Sequence, residues 1–247
     1  GLVRNKVIAI LLGPLGVGLI SIYNTAATFL QNSTNFGLQM SGVREISQAF
    51  DSGDEAVTNR HIALLRSWSI LAALLGAMVC LCSCGLLSQW AFSSYEYTTQ
   101  FACLSIVVAL TAIAGGETAI LKATRRLKEL AKTSVLGVLA ALLVSVPIFL
   151  RWSYDGIIPS IIVVCLIQML LVTWYSYRYY PPHFLTTWKQ LREGKKMISI
   201  GTAFVLAGVL GSGAEFAVRA YLGDMSVSLA GLYNAGYMIT MTYAGMV

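Results

Sequence analysis

The chain has 247 residues, of which 57% are hydrophobic and only 11% charged, with a formal net charge of +6. Soluble domains carry roughly 25% charged residues, so this chain lacks the polar side chains needed to coat a water-soluble core. The basic excess follows the gaps between hydrophobic stretches rather than one continuous patch, which argues against nucleic acid as a partner.

A helix needs about 20 apolar residues to cross a bilayer. The sequence predicts complete spans at Val17–Met40, Trp68–Phe92, Phe101–Leu121, Thr133–Trp152, Ile157–Tyr177 and Ile198–Tyr221, with a partial span at each end. Gly13-Pro14-Leu15-Gly16-Val17-Gly18 has the outline of a phosphate loop. It lacks the Gly-Lys-Ser/Thr ending and no strand precedes it, so it reads as a hinge between helices. Trp68, Trp90, Trp152, Trp174 and the run Tyr175, Tyr177, Tyr179, Tyr180 fall where spans meet the headgroups, as an aromatic belt requires. Tyr154-Asp155-Gly156 reads as a tight turn between two antiparallel helices. Pro181-Pro182 ends a helix and opens the longest late loop. There Phe184, Leu185, Trp188 and Leu191 recur at helical spacing among Lys189, Arg192, Lys195 and Lys196. That pattern fits either an interfacial helix on the cytoplasmic leaflet or a solvated linker.

Five cysteines, odd in number and mostly inside apolar runs, imply no disulfide framework. Cys80, Cys82 and Cys84 cluster in sequence, but a helix turns Cys82 away from the other two, which favours small lipid- or helix-facing residues over a metal site. The chain starts with Gly1 rather than Met, and both ends fall in apolar stretches (Gly1–Leu12 and Gly231–Val247). A piece of a longer protein is therefore expected.

Basic residues occupy alternate gaps. Arg44, Arg60 and Arg66 fill one, Lys122, Arg125, Arg126, Lys128 and Lys132 the next, and Arg178, Lys189, Arg192, Lys195 and Lys196 a third. Thirteen of the seventeen Lys/Arg thus lie on one side, leaving Arg4, Lys6, Arg151 and Arg219 for the other. By the excess of Lys and Arg in cytoplasmic loops, the richer side is the cytoplasm. The fold class expected is an all-α integral membrane protein, a polytopic helical bundle.

A repeat is superimposed on this topology. With residue n set against n+210, Leu12-Gly13 meets Leu222-Gly223, Val17 meets Val227, Leu19 meets Leu229 and Tyr23-Asn24 meets Tyr233-Asn234. Both copies run toward the cytoplasm, so they form parallel repeats related by an axis along the membrane normal. The spacing makes each half a six-helix unit. Residues 1–180 would be most of an N-terminal lobe, 181–197 a cytoplasmic linker, and 198–247 the start of a C-terminal lobe.

Polar groups at membrane depth cost a few kcal/mol even on the gentlest scales, roughly 2.5–3.5 for a central charge, and so mark function. Asn24, Thr28, Gln31 and Asn35 form one stripe on a helix, widened by Asn32 and Thr34. The stripe fits a water-filled cavity, or interhelical hydrogen bonds worth about 0.6–2 kcal/mol each. Ser212, Glu215 and Arg219 share a face. Glu215 and Arg219 are either a self-satisfying i,i+4 pair or, with Arg4 and Lys6, the charge around an anion site. Glu117 is either a proton-coupling carboxylate or an interface residue paired with Arg125 or Lys122. His61 and His183 are lone loop histidines. Neither a Ser/His/Asp set nor a metal-ligand set is present, so no cofactor, metal or enzymatic chemistry is expected.

Residues 5–19, Asn-Lys-Val-Ile-Ala-Ile-Leu-Leu-Gly-Pro-Leu-Gly-Val-Gly-Leu, are similar to the junction of helices one and two in bacterial polysaccharide flippases of the O-antigen translocase (Wzx) type. Ser41-Gly42-Val43-Arg44-Glu45-Ile46 resembles their first cytoplasmic loop, and residues 121–132 their loop between helices four and five. The resemblance implies a multidrug/oligosaccharidyl-lipid/polysaccharide exporter fold of about twelve to fourteen helices in two lobes, in the bacterial inner membrane. Members of that family move undecaprenyl-pyrophosphate-linked oligosaccharides, such as O-antigen or capsule units, by alternating access. It further implies that Arg4, Lys6 and Arg219 hold the pyrophosphate and that the Asn24/Thr28/Gln31/Asn35 stripe meets sugar hydroxyls. The lipid tail would stay in the bilayer, and other polysaccharide-assembly proteins are natural partners. Three alternatives stand beside this one: a cation-coupled multidrug exporter, a flippase for lipid-linked peptidoglycan precursors, and a membrane-embedded polymerase or acyltransferase.

Overall fold

The computed structural model describes residues 2–182 and 195–244. Eight α-helices account for nearly all of them, and no strand occurs among the described residues. They are α1 (Leu2–Thr34), α2 (Leu38–Asp51), α3 (Glu55–Phe92), α4 (Thr98–Ala123), α5 (Leu127–Trp152), α6 (Ile157–Tyr179), α7 (Lys195–Met225) and α8 (Val227–Ala244). A 3-10 turn, Ser153–Gly156, joins α5 to α6 where the tight turn is expected. Five segments are long and apolar enough to cross a membrane: Lys6–Thr34, Glu55–Phe92, Thr98–Ala123, Leu127–Tyr179 and Val205–Met225. The fourth contains both α5 and α6 with the turn between them, so it folds back as two crossings. The chain is an all-α polytopic membrane bundle.

Its surface agrees with lipid as solvent. Trp90, Leu143, Trp174 and Leu210 are each at least 70% exposed, which a water-facing surface tolerates poorly as a pattern but a hydrocarbon surface requires. The polar backbone is meanwhile satisfied inside the helices.

Most helix limits differ from those read in the sequence, and the start and end of α1 and the start of α3 have clear physical causes. α1 starts well before Val17 and ends at Thr34 rather than Met40, because Phe36 (φ 50°) and Gly37 (φ 63°) turn the chain into a separate helix. That helix, α2, is amphipathic, burying Leu38, Ser41, Gly42, Ile46 and Ala49 while Met40 and Phe50 stay exposed. α3 begins at Glu55, thirteen residues before the expected Trp68. Its start is fixed by Asp54, whose carboxylate accepts from the Ala56 and Val57 amides at 2.9 and 3.1 Å, satisfying donors that a helix N-terminus leaves open. At 38 residues α3 is about 57 Å long, well beyond a hydrocarbon core of about 30 Å. The excess emerges on the basic side and carries His61 on a helix rather than in a loop, its Nδ1 lying 3.7 Å from Glu45 of α2. The amphipathic stretch at 184–191, His183 and most of the linker lie outside the described residues.

Inside α1, Gly13 has φ 64° and ψ −170°, and Pro14 follows. An L side chain resists that conformation, and proline has no amide to continue the ladder, so the expected hinge is present. Beyond it α1 runs through the centre of the bundle and touches α3 to α8. The main core gathers on it. Tyr23 packs edge-on against Phe101 at 5.3 Å and beside Phe92, donates its hydroxyl to Gln100, and is 2% exposed. α7 crosses the C-terminal half of α1, with Phe29 and Phe216 stacked at 6.0 Å. α8 lies along the other half so closely that a Cβ on Gly18 would sit 2.0 Å from the Val227 carbonyl oxygen. One on Gly231 would sit 2.0 Å from that of Pro14. The two copies of the repeat therefore pack against each other, backbone to backbone.

Candidate functional site

Where α1, α7 and α8 meet, a cavity of about 300 Å³ opens between them. It is lined on α1 by Ser21, Asn24, Thr25 and Thr28, on α7 by Arg219 and on α8 by Asn234 and Tyr237. Asn24 and Asn234, equivalent positions in the repeat, thus converge on one space. Arg219 is 3% exposed. Its terminal NH1 lies 3.1 Å from Glu215 Oε2, and NH2 is 3.5 Å from Asn234 Oδ1. The guanidinium carbon stands 4.9 Å from the ring centre of Tyr237 and 5.7 Å from that of Tyr233, an arrangement in which the negative ring faces offset some of the lost hydration. Tyr237 donates its hydroxyl to Glu215 Oε1 at 2.7 Å. A second cavity of about 300 Å³ adjoins the first and shares Val17, Asn234 and Met238 with it. Its other walls are mainly apolar (Ala9, Pro14, Leu232, Ile239), and Lys6 is its one described cation.

The residues singled out in the sequence fall into three groups. Asn24, Thr28 and Arg219 line the first cavity, with Glu215 bound to Arg219; Lys6 lines the second. Gln31 lies further along α1, where α7 crosses, and Asn35 just past its end. Gln31 is half-buried, and Asn35, 8% exposed, sits in the turn to α2 with its carbonyl accepting from Leu38. Of Arg4, only its place on α1 is described. The stripe is continuous on α1 up to Gln31, but the cavity takes only its first half, because the Phe29–Phe216 stack and the packing of Gly208 against Asn32 close the second.

Glu117 is 3% exposed and belongs to a separate constellation. Its partner is Arg66, with Nε 2.8 Å from Oε1 and NH2 3.1 Å from Oε2, and not Lys122 or Arg125. Arg125 instead meets Asp51 at 2.6 Å on the surface. Arg66 also donates to the Pro181 and Tyr180 carbonyls at 2.8 and 3.1 Å and to Ser176 Oγ at 3.3 Å, and lies over the Tyr177 ring. It therefore ties α3 to α4 and to the end of α6, neutralising carbonyls that a helix C-terminus leaves open.

Sequence reasoning misses Ser21, Thr25, Asn234 and Tyr237 at the cavity, and Arg66 altogether as a buried group. Asn234 is within its reach, since the repeat pairs it with Asn24. Arg66 follows the apolar run Ile62-Ala63-Leu64-Leu65 and sits two residues before Trp68, a sign that it lies inside a helix. The cysteines are all free, Cys80 buried and Cys82 exposed. No group of three or more His, Cys, Asp or Glu side chains gathers among the described residues.

Fold and cavity together define a multi-pass helical membrane protein with a polar, cationic space between its repeated elements. A family described as "Polysaccharide biosynthesis protein" matches residues 1–247, and the chain belongs to that family. Neither the curated proteins nor the solved structures give a match.

Proposed function

We propose that the protein is a transporter of the O-antigen translocase (Wzx) type, which carries undecaprenyl-pyrophosphate-linked oligosaccharide units across the bacterial inner membrane by alternating access. The observation that carries this reading is Arg219, an arginine buried at the meeting of the two repeats and facing a polar cavity. An arginine within a membrane is costly and is retained where a pathway or an anion needs it. Its planar fork suits phosphoryl oxygens. In this reading Arg219 meets the pyrophosphate, assisted by Lys6 and Arg4 on α1, and Asn24, Thr28 and Asn234 meet hydroxyls of the first sugar. The adjoining apolar cavity takes the first carbons of the prenyl chain. Gln31 and Asn35 serve sugars deeper along α1 once α7 moves away from it. Membership of the polysaccharide biosynthesis family supports the substrate class. Transport rather than enzymatic chemistry accords with a cavity whose polar lining is amides, hydroxyls and one arginine, set among Ile8, Val17, Ile20 and Met238.

The test is to delete the gene, extract lipids for mass spectrometry and assay surface polysaccharide. Accumulated undecaprenyl-pyrophosphate oligosaccharide together with lost surface glycan is the expected result, and the mass identifies the cargo. Normal glycan with no intermediate would favour a drug exporter. Unpolymerised single units on the outer leaflet would point to a polymerase. Complementation with Arg219→Glu should fail to restore export while the protein still inserts; full restoration would remove Arg219 from the site.

A further inference from the structure

Arg219 Nε and Ser21 Oγ are both sealed from solvent, and neither meets a hydrogen-bond partner among the described residues. They come from different helices, α7 and α1, and both line the polar cavity. Two unanswered donors beside a guanidinium call for a group rich in acceptors and negative in charge. Yet the charge of Arg219 is already opposed by Glu215, and the two partners differ sharply in accessibility: the Arg219 side chain is 4% exposed and that of Glu215 43%. The arginine is held among its neighbours, whereas the carboxylate has room to swing away. If it left alone, it would strand a buried cation, so its departure must coincide with the arrival of another anion.

We propose that Glu215 is an internal stand-in for the phosphate of the ligand. It holds the Arg219 guanidinium until a phosphate group takes its place, the phosphate oxygens then accepting from Arg219 and from Ser21 Oγ. The inference rests on the reading of this cavity as an anion site and adds what the anion must displace. The exchange has a mechanical consequence, because Glu215 Oε1 is also the acceptor for Tyr237 on α8. When the carboxylate leaves, a direct side-chain tie between α7 and α8 is released, and α8 is the helix in backbone contact with α1. Ligand arrival and loosening of the repeat interface are one event. The price of the exchange is a lower affinity than the bare arginine would give.

The experiment uses the intact protein in lipid nanodiscs and titration calorimetry with farnesyl diphosphate, with inorganic pyrophosphate as a tail-free comparison. Glu215→Gln preserves an acceptor for Tyr237 but removes the competing charge, and should tighten binding of both probes by about three- to fivefold, the scale of one half-exposed ion pair. Arg219→Gln should abolish binding. If Glu215→Gln leaves affinity unchanged or weakens it while Arg219→Gln abolishes it, the exchange is wrong and the anion site stands. If Arg219→Gln binds as the parent does, the anion reading itself fails. Should Glu215→Gln not fold, Tyr237→Phe carries the test: it loosens the hold on Glu215 and should tighten binding by a smaller factor, and unchanged affinity overturns the exchange.

Discussion

Arg66 reaches across the α3–α4 interface to grip both carboxylate oxygens of Glu117, at 2.8 and 3.1 Å, with the two side chains only 2% and 4% exposed. A pair so buried is costly to assemble, but costlier to halve. Glu117→Gln strands the guanidinium and should destabilise the protein by about 3–5 kcal/mol, seen as a fall in the thermal unfolding midpoint in detergent. The double variant Arg66→Met/Glu117→Leu should recover part of that loss. A Glu117→Gln protein that melts like the parent but no longer exports would instead assign the carboxylate to proton coupling.

The seam between α1 and α8 depends on two glycines. Gly231→Leu places side-chain atoms where the Pro14 carbonyl now lies, so the helices must part and the protein should lose both thermal stability and export. Gly236 is on the same helix, and a Cβ there would meet nothing within 4 Å. Gly236→Ala should raise stability by up to about 1 kcal/mol through helix propensity alone. Equal melting points for the two variants would contradict the observed packing.

The hinge in α1 makes a conformational prediction. Gly13 has positive φ and open space around it, so Gly13→Ala meets no clash and costs only the strain of a backbone conformation almost confined to glycine, about 1–3 kcal/mol. Melting should therefore fall modestly. Gly16→Ala is the comparison, since its Cβ would strike Leu12 and the loss there is steric. A Gly13→Ala protein as stable as the parent would mean that the kink is not retained in the bilayer.

Topology can be read directly with a membrane-impermeant maleimide in a background free of native cysteines. Ser52→Cys, between α2 and α3 and within the stretch that carries Arg44, Arg60 and Arg66, should label only after the cells are permeabilised. Glu96→Cys, in the gap between α3 and α4 that holds no Lys or Arg, should label in intact cells. The reverse pattern would invert the orientation.

The sites where sequence and structure part company share a cause. Arg66 counts as a loop cation because its partner lies 51 positions away, beyond any local pattern. The limits of α3 extend past the apolar run because hydropathy reports only the part of a helix in lipid, while the Asp54 cap sets where the helix begins. The stripe from Asn24 lies on one face of α1 as far as Gln31, while Asn35 falls past the helix end, in the turn set by Phe36 and Gly37. Which half of it borders a cavity depends on where α7 crosses, and that is fixed by Phe216 meeting Phe29.

By itself, the sequence determined the solvent, the helical class, the hinge at Gly13-Pro14 and the relation between Tyr23-Asn24 and Tyr233-Asn234. Each of these is written in composition, in the period of apolar residues or in residues close along the chain. The tertiary structure alone decided what the two copies became. Tyr23 is sealed in the core on Phe101, while its equivalent Tyr233 is 38% exposed and lies near Arg219. Asn24 and Asn234 instead converge on one cavity. Identical residues diverge because burial is a property of neighbours, and neighbours are set by helix crossings that a chain can specify only when the whole bundle packs.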